Sequence, residues 1–236
     1  MASLSDNAGT VHIKTNESQM QDPEVETAVN DLAPVLASNP VFITVADTIR
    51  KRRTVKQFLP QPVPRALLQE LIELAVLAPN HRLTEPWRFY VLDGAARNRV
   101  GEIAAQITAD KIIASGGDAA VAARKGEEAA AAWRSVPTLL YVTMLRDANP
   151  EVDQENYGAV CCALQNFALA AHAAGLGTSW SSGAVAAAPA LHSLVGAGSN
   201  EAMVGLIRVG YLDPAATTPK RRRIPGSALT TWVDAA

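Results

Sequence analysis

A chain of 236 residues that is 48% hydrophobic and 19% charged can bury a substantial core and has the size of one globular domain. Its formal charge of -2 at pH 7 lacks the strongly basic character that marks nucleic-acid-binding domains, so no nucleic-acid partner is expected and any anion site must be local. The two cysteines, Cys161 and Cys162, are adjacent, which excludes a disulfide framework or cysteine-built metal site and leaves them as small buried thiols.

Residues 1 to 31 hold six acidic residues, one lysine and no aromatic side chain. Such a composition cannot offset the entropy of ordering by itself, so residues 1–40 are expected to form an acidic N-terminal extension that is mobile or wraps a partner. Asp6 stands where a secretory signal needs a basic start and an apolar run, and no window is apolar enough to span a membrane. A cytoplasmic location and no membrane partner are the expectation.

A domain over residues 41–236 is expected to begin with an amphipathic helix carrying Val45 and Ile49, which runs into Arg50, Lys51, Arg52 and Arg53, with Lys56 just beyond. Between Gln61 and Ala78, Leu67, Leu68, Leu71, Leu74 and Ala75 recur at helical spacing, after Pro62 and Pro64 and before Pro79, which predicts a second helix. A loop (80–85) leads to a strand over 88–92. Residues 95–134 are alanine-rich and interrupted by Gly116 and Gly117, which predicts two or three helices. Thr138 to Met144 reads as a buried strand. Asn156 is expected to cap a long helix from Tyr157 to Ala174 that Gly175 stops. Short strands follow over 178–181 and 204–211, with a helix near 189–195 between them. Helices intermixed with about four short strands predict an α+β fold, a three-layer sandwich around a small sheet.

The basic clusters, Arg50–Arg53 with Lys56 and Lys220–Arg223, suit a phosphate, because guanidinium groups fork onto phosphate oxygens. They equally suit solvated faces or helix ends favoured by the macrodipole. The familiar phosphate cradles are missing: Gly175-Leu176-Gly177 follows a helix and lacks the third glycine of a dinucleotide fingerprint, and no P-loop occurs. The four histidines show no metal spacing, His172 reads as a core residue, and no G-x-S-x-G elbow exists. Chemistry borne by a cofactor stays open.

The run Ile49-Arg50-Lys51-Arg52-Arg53-Thr54-Val55-Lys56-Gln57-Phe58, then Pro62-Val63-Pro64, then Leu77-Ala78-Pro79-Asn80-His81, then Glu85-Pro86-Trp87-Arg88-Phe89 resembles the N-terminal signature of the nitroreductase family, in its compact subgroup with an A-P-x-H loop. Ala163-Leu164-Gln165-Asn166 and the run from Ala170 to Gly183 are similar to its central helix, glycine turn and flavin-facing strand end. Residues 204–210 and 219–225 resemble its last strand and basic phosphate loop.

The resemblance implies a nitroreductase-like fold with a small mixed sheet flanked by helices, an intertwined homodimer, and FMN at its interface. It implies an FMN-dependent oxidoreductase that moves hydride from NADH or NADPH to a small electron-poor acceptor by a ping-pong mechanism. Offshoots that act as dehydrogenases or dehalogenases, and a flavin-binding protein without turnover, are the alternatives. Residue by residue, it places Arg52, Arg53, Thr54 and Lys56 at the FMN phosphate with Arg221 and Arg223. It brings His81 and Glu85 to the flavin from the partner subunit and sets Ser181, Ser182 and Gly183 against its reactive N5 side. It assigns no catalytic side chain and no metal. Glu85 departs from the family, where glutamine is usual: a carboxylate accepts but does not donate there unless protonated. Either Glu85 turns to Arg82 or Arg88, or the flavin contacts are rearranged.

Overall fold

The computed structural model describes residues 38–216 and 222–233. Residues 46–219 form one compact unit, and the described residues before and after them group in a second.

The larger unit is built on four antiparallel strands, β1 (Trp87–Leu92), β2 (Thr138–Leu145), β3 (Leu176–Ser181) and β4 (Glu201–Tyr211), in the spatial order β1-β2-β4-β3. β2 and β4 are therefore central, while β1 and β3 are opposite edges. The expected mixed character of the sheet rests on a single parallel bridge, Thr54 to Thr178, on the outer side of β3. β2 reads as an unbroken apolar run because both of its faces are covered. Leu140, Val142 and Met144 join one core with Leu68, Leu71, Val160, Leu164 and Phe167. The alternate residues Leu139 and Tyr141 join another with Val100, Trp133 and Leu191.

Those cores define three layers. On one face lie α2 (Arg65–Ala75) and α5 (Pro150–Ala173); on the other lie α3 (Gly94–Ala114), α4 (Ala119–Arg134) and α6 (Pro189–Leu194). The pair α3 and α4 packs as a hairpin whose turn needs Gly116 at φ +80° and whose second helix starts at Asp118, which accepts from the amides of Ala120 and Val121. One further helix, α1 (Pro40–Lys51), precedes them; the Asn39 side chain caps it by accepting from the amides of Val41 and Phe42.

Two sequence expectations change here. Asn149, not Asn156, caps the long helix, with Pro150 at its first position, so α5 begins two turns early. Asn156 is buried inside the helix, accepts from the Thr84 hydroxyl at 2.6 Å and donates to the carbonyl of Leu145 at 3.2 Å. Gly175 stops α5 as expected, at φ +79°. Cys161 is half-buried and packs against the first core, while Cys162 is exposed, so the thiols are not both core groups. Among the described residues no helix is long and apolar enough to cross a membrane.

Candidate functional site at the edge of β3

The basic run reaches the sheet directly. After α1 ends, the Val55 amide donates to the Thr178 carbonyl at 2.9 Å, making the parallel bridge that lays residues 52–56 along β3. Gly177 makes that approach feasible. A Cβ there would lie 2.9 Å from Val55 Cβ and 2.8 Å from Leu212 Cδ2, closer than carbon atoms tolerate.

Arg52 and Arg53 are half-buried at this junction, and Thr54 and Lys56 are exposed. Arg53 Nη1 donates to the carbonyls of Arg50 and Arg52, the latter at 2.8 Å, so part of its guanidinium closes the C-terminal end of α1. His172 is half-buried near the end of α5 and is not the core residue expected. Burial, then the charges of Arg52, Arg53 and Lys51, hold its imidazole below the ordinary histidine range, which keeps it neutral at pH 7. Residues 51–54 and the C-terminal end of α5 thus form one electropositive corner.

The far end of the same strand carries the other predicted group. Ser181 is half-buried, and Ser182 and Gly183 are exposed. Three residues separate Thr178 from Ser181, about 10 Å of extended chain. A Cβ on Gly183 would meet nothing within 4 Å, so within this chain the glycine leaves open space rather than relieving a clash. Trp180, which sequence reasoning passed over, is 44% exposed although its β3 neighbours Thr178 and Ser179 are buried. Its only sequence signal is an aromatic residue at the exit of a strand whose neighbouring residues, Gly177 to Ser179 and Ser181, are small.

His81 and Glu85 lie elsewhere. They belong to a loop with a short 3-10 turn (His81–Leu83) that leads into β1, at the opposite edge of the sheet. Arg82, Leu83 and Glu85 all have positive φ, at 65°, 50° and 45°. Three left-handed non-glycine residues in four positions store backbone strain that neighbours must hold. Asn80 does part of this, accepting from the Glu85 amide at 2.7 Å and donating to Thr84 Oγ1 at 3.1 Å. Glu155 of α5 does the rest, meeting His81 Nδ1 at 2.7 Å and Arg82 Nε at 3.1 Å. The His81 hydrogen bond, with Arg82 adding to it, holds the Glu155 carboxyl below the usual carboxylate range.

Glu85 makes neither of the ion pairs expected of it. Arg82 is taken by Glu155 and Glu151, and Arg88 donates only to the backbone carbonyls of Glu85 and Trp87, at 3.2 and 2.7 Å. The exposed Glu85 carboxylate has no ion pair among the described residues.

The predicted residues therefore fall into two groups. Seventeen residues of α5 separate Glu155 from His172, about 25 Å of helix, and the full width of the sheet separates their edges. Within one subunit, the loop and the β3 edge do not meet. Of the C-terminal pair, Arg221 lies outside the described residues. Arg223 is exposed in the smaller unit, its Nη1 donating to the Arg222 carbonyl at 2.8 Å.

The profile of the Nitroreductase family matches residues 49–211. "Putative NAD(P)H nitroreductase YfhC" of Bacillus subtilis (strain 168) is 32% identical over 180 residues, 75% of this chain and 89% of that protein. The crystal structure of a nitroreductase-like family protein from Bacillus cereus superposes with a TM-score of 0.68 at 28% identity, over 81% of this chain and 96% of that one. A protein of Desulfovibrio desulfuricans, solved in complex with FMN, gives a TM-score of 0.59 at 26% identity, over 82% of this chain and 96% of that one. With the family profile spanning residues 49–211 and a 32% identical relative covered over 89% of its length, the chain belongs to the nitroreductase family.

Proposed function

We propose that this chain is an FMN-dependent NAD(P)H oxidoreductase whose cofactor lies along the outer edge of β3. The observation that carries the reading is the junction of Arg52, Arg53 and Thr54 with Thr178. Guanidinium groups, a hydroxyl and a neutral imidazole, with the nearby Asp47 carboxylate already paired to Lys51 at 2.7 Å, are a donor set suited to a phosphate. About 10 Å farther along the strand, the backbone of Ser181–Gly183 faces the ring. The relative from D. desulfuricans, solved with FMN, supports the choice of cofactor.

When bound, FMN supplies hydride transfer from NAD(P)H to a small electron-poor acceptor in two separate half-reactions. The chain supplies position and charge. Arg52 and Arg53 bind the phosphate, with Lys56 raising the local potential. Thr54 donates its hydroxyl to a phosphate oxygen, and Ser181 to Gly183 fix the ring edge. The exposed glycine leaves room for a close approach.

The site is completed by a second copy. The His81–Glu85 loop cannot reach the β3 edge of its own subunit, and a twofold arrangement brings it to the partner's. The outward face of α5 suits such pairing: from Tyr157 to Ala174 it carries no acidic, lysine or arginine residue, and Tyr157, Gly158, Cys162 and Gln165 are exposed along it.

An absorption spectrum of the purified protein, with identification of any released cofactor, tests the reading. Yellow protein that releases FMN and is bleached by NAD(P)H without oxygen is the expected result. Colourless protein that takes up no FMN on reconstitution overturns it. Yellow protein that NAD(P)H does not bleach marks a flavin binder without turnover.

A further inference from the structure

We infer that Glu155 is a positioning residue for His81, holding the imidazole proton on Nδ1 so that the loop before β1 offers a bare Nε2. Together with the Glu85 carboxylate, that nitrogen accepts from an N–H or O–H carried by a ring. The first half stands on this chain alone; the second rests on the reading of the loop as part of a partner's flavin site. Glu155 Oε1 lies 2.7 Å from His81 Nδ1, and Oε2 accepts from Arg82 Nε at 3.1 Å. Its carboxyl is held below the usual carboxylate range, first by the His81 hydrogen bond, so it stays ionised and only accepts. A neutral imidazole carries one proton, and an acceptor-only partner at Nδ1 draws it there. Nε2 is then the lone-pair nitrogen, and it makes no hydrogen bond among the described residues.

A surface tie alone does not explain the pair. Arg82 by itself gives Glu155 a charged partner, whereas the His81 side chain is 66% exposed and adds little burial to the contact. The donors of the loop are spent inward. The Arg82 guanidinium meets Glu155 and Glu151, and the Thr84 hydroxyl donates to Asn156 Oδ1 at 2.6 Å. The amides of Leu83 and Glu85 both go to Asn80, at 3.4 and 2.7 Å. What the loop leaves unspent accepts: His81 Nε2 and the exposed Glu85 carboxylate, which has no ion pair among the described residues. Two acceptors within five residues select a group that donates. A nitro group or a quinone carbonyl gains nothing from them, while an imide N–H or a hydroxyl does. Glutamate at position 85 thus matches the histidine, where a glutamine would bring a donor as well.

Long-range proton–nitrogen NMR spectra of the full chain at about pH 8, where histidine is ordinarily neutral, read the tautomer. His81 is expected to carry its proton on Nδ1 in the wild type and to shift toward the Nε2-protonated form in E155A. A wild-type His81 protonated at Nε2 overturns the inference. Two pairs of probes then locate the donor: affinities for FMN and for 3-methyl-FMN, which lacks the imide N–H, and KM for 4-nitrobenzyl alcohol and its methyl ether. Preference for the donor-bearing member is expected to be about two- to tenfold in one pair, to vanish in H81F and to shrink in E85A and E155A. Preference in the flavin pair assigns the donor to the cofactor, and preference in the nitroaromatic pair assigns it to the substrate. A yellow wild-type protein whose preferences are absent, or survive in both H81F and E85A, overturns the second half alone. A wild-type chain that takes up no FMN overturns that half together with the reading beneath it, while the NMR result still decides the first.

Discussion

The two edges of the sheet solve different problems. At the β3 edge, cations and hydroxyls sit on regular backbone, fixed by one bridge at Thr178 and one missing Cβ at Gly177. At the β1 edge, the His81–Glu85 loop is bent through three left-handed residues and held by Asn80 and by ion pairs to α5. A phosphate needs only a rigid, positive corner. Under the proposed pairing of two copies, the loop presents side chains to its neighbour in a shape that its own sequence does not favour, and α5 enforces it. Rigidity comes from the sheet in the first case and from side-chain hydrogen bonds in the second.

Substitutions can break that comparison, and the largest effect is expected at the β3 edge. The double variant R52A/R53A should lose about two orders of magnitude or more in FMN affinity, each charge-assisted hydrogen bond contributing about 1.5–3 kcal/mol, while circular dichroism of the cofactor-free protein stays close to wild type and its stability falls only by the lost closure of α1, about 1 kcal/mol. A flavin titration that finds wild-type affinity would remove the phosphate from this corner. Next in size, G177A forces a Cβ against Val55 and Leu212. It should cost about 1–3 kcal/mol of stability by overpacking, read from urea denaturation, and should weaken FMN binding by moving residues 52–56.

At the other edge the effects are smaller and of another kind. N80A removes the side-chain hydrogen bonds by which Asn80 holds its part of the loop and should cost about 1–2 kcal/mol, with protease cleavage near Arg82 accelerated. If the loop completes the partner's site, mixing N80A subunits with R52A/R53A subunits gives heterodimers in which the two defects fall on the same or on different sites, and activity reports which. The smallest effects are in titration. Because the folded Glu155 carboxyl titrates below its ordinary value, its contribution is present above the unfolded carboxylate pKa. It is lost as pH falls toward the lower folded value, since the unfolded chain takes up the proton first. E155Q should flatten that acid limb of the stability profile. His172 gives the sharper contrast: burial first, and then the nearby cations, hold it down, so an anion bound at Arg52 and Arg53 should offset the cations' part and raise its pKa, and NMR titration with and without FMN or inorganic phosphate reads the shift.

Much of this was legible in the sequence where one physical rule decides. The apolar run from Thr138 to Met144 reads as a buried strand, and the structure has a strand there with both faces covered; the leucine spacing after Pro64 reads as a helix with one buried side, which α2 is. The start of α5 was missed because Asn149 and Asn156 are equally good caps by residue type. Only the partners of Asn156, Thr84 and Leu145, show that it is a tether rather than a helix start. His172 looked like core because its helix is apolar, while the arginines beside it come from more than a hundred residues away in the chain. The split of the site was hidden for a similar reason. Sequence order gives no strand order, and it is the order β1-β2-β4-β3 that sends His81 and Arg52 to opposite edges.

The single bridge at Thr178 carries a further consequence, for handling and for the cell. β3 is an edge strand without a charged residue, and among the described residues its outer backbone is bridged by residues 54–55 near Thr178. Uncovered edges of this kind invite strands from other chains. If the cofactor lies along this edge, it also acts as a chaperone for the fold, shielding backbone that would otherwise recruit a neighbour. Protein made without enough flavin should then be lost to aggregation before it is lost to unfolding, and flavin supply during synthesis would govern its yield.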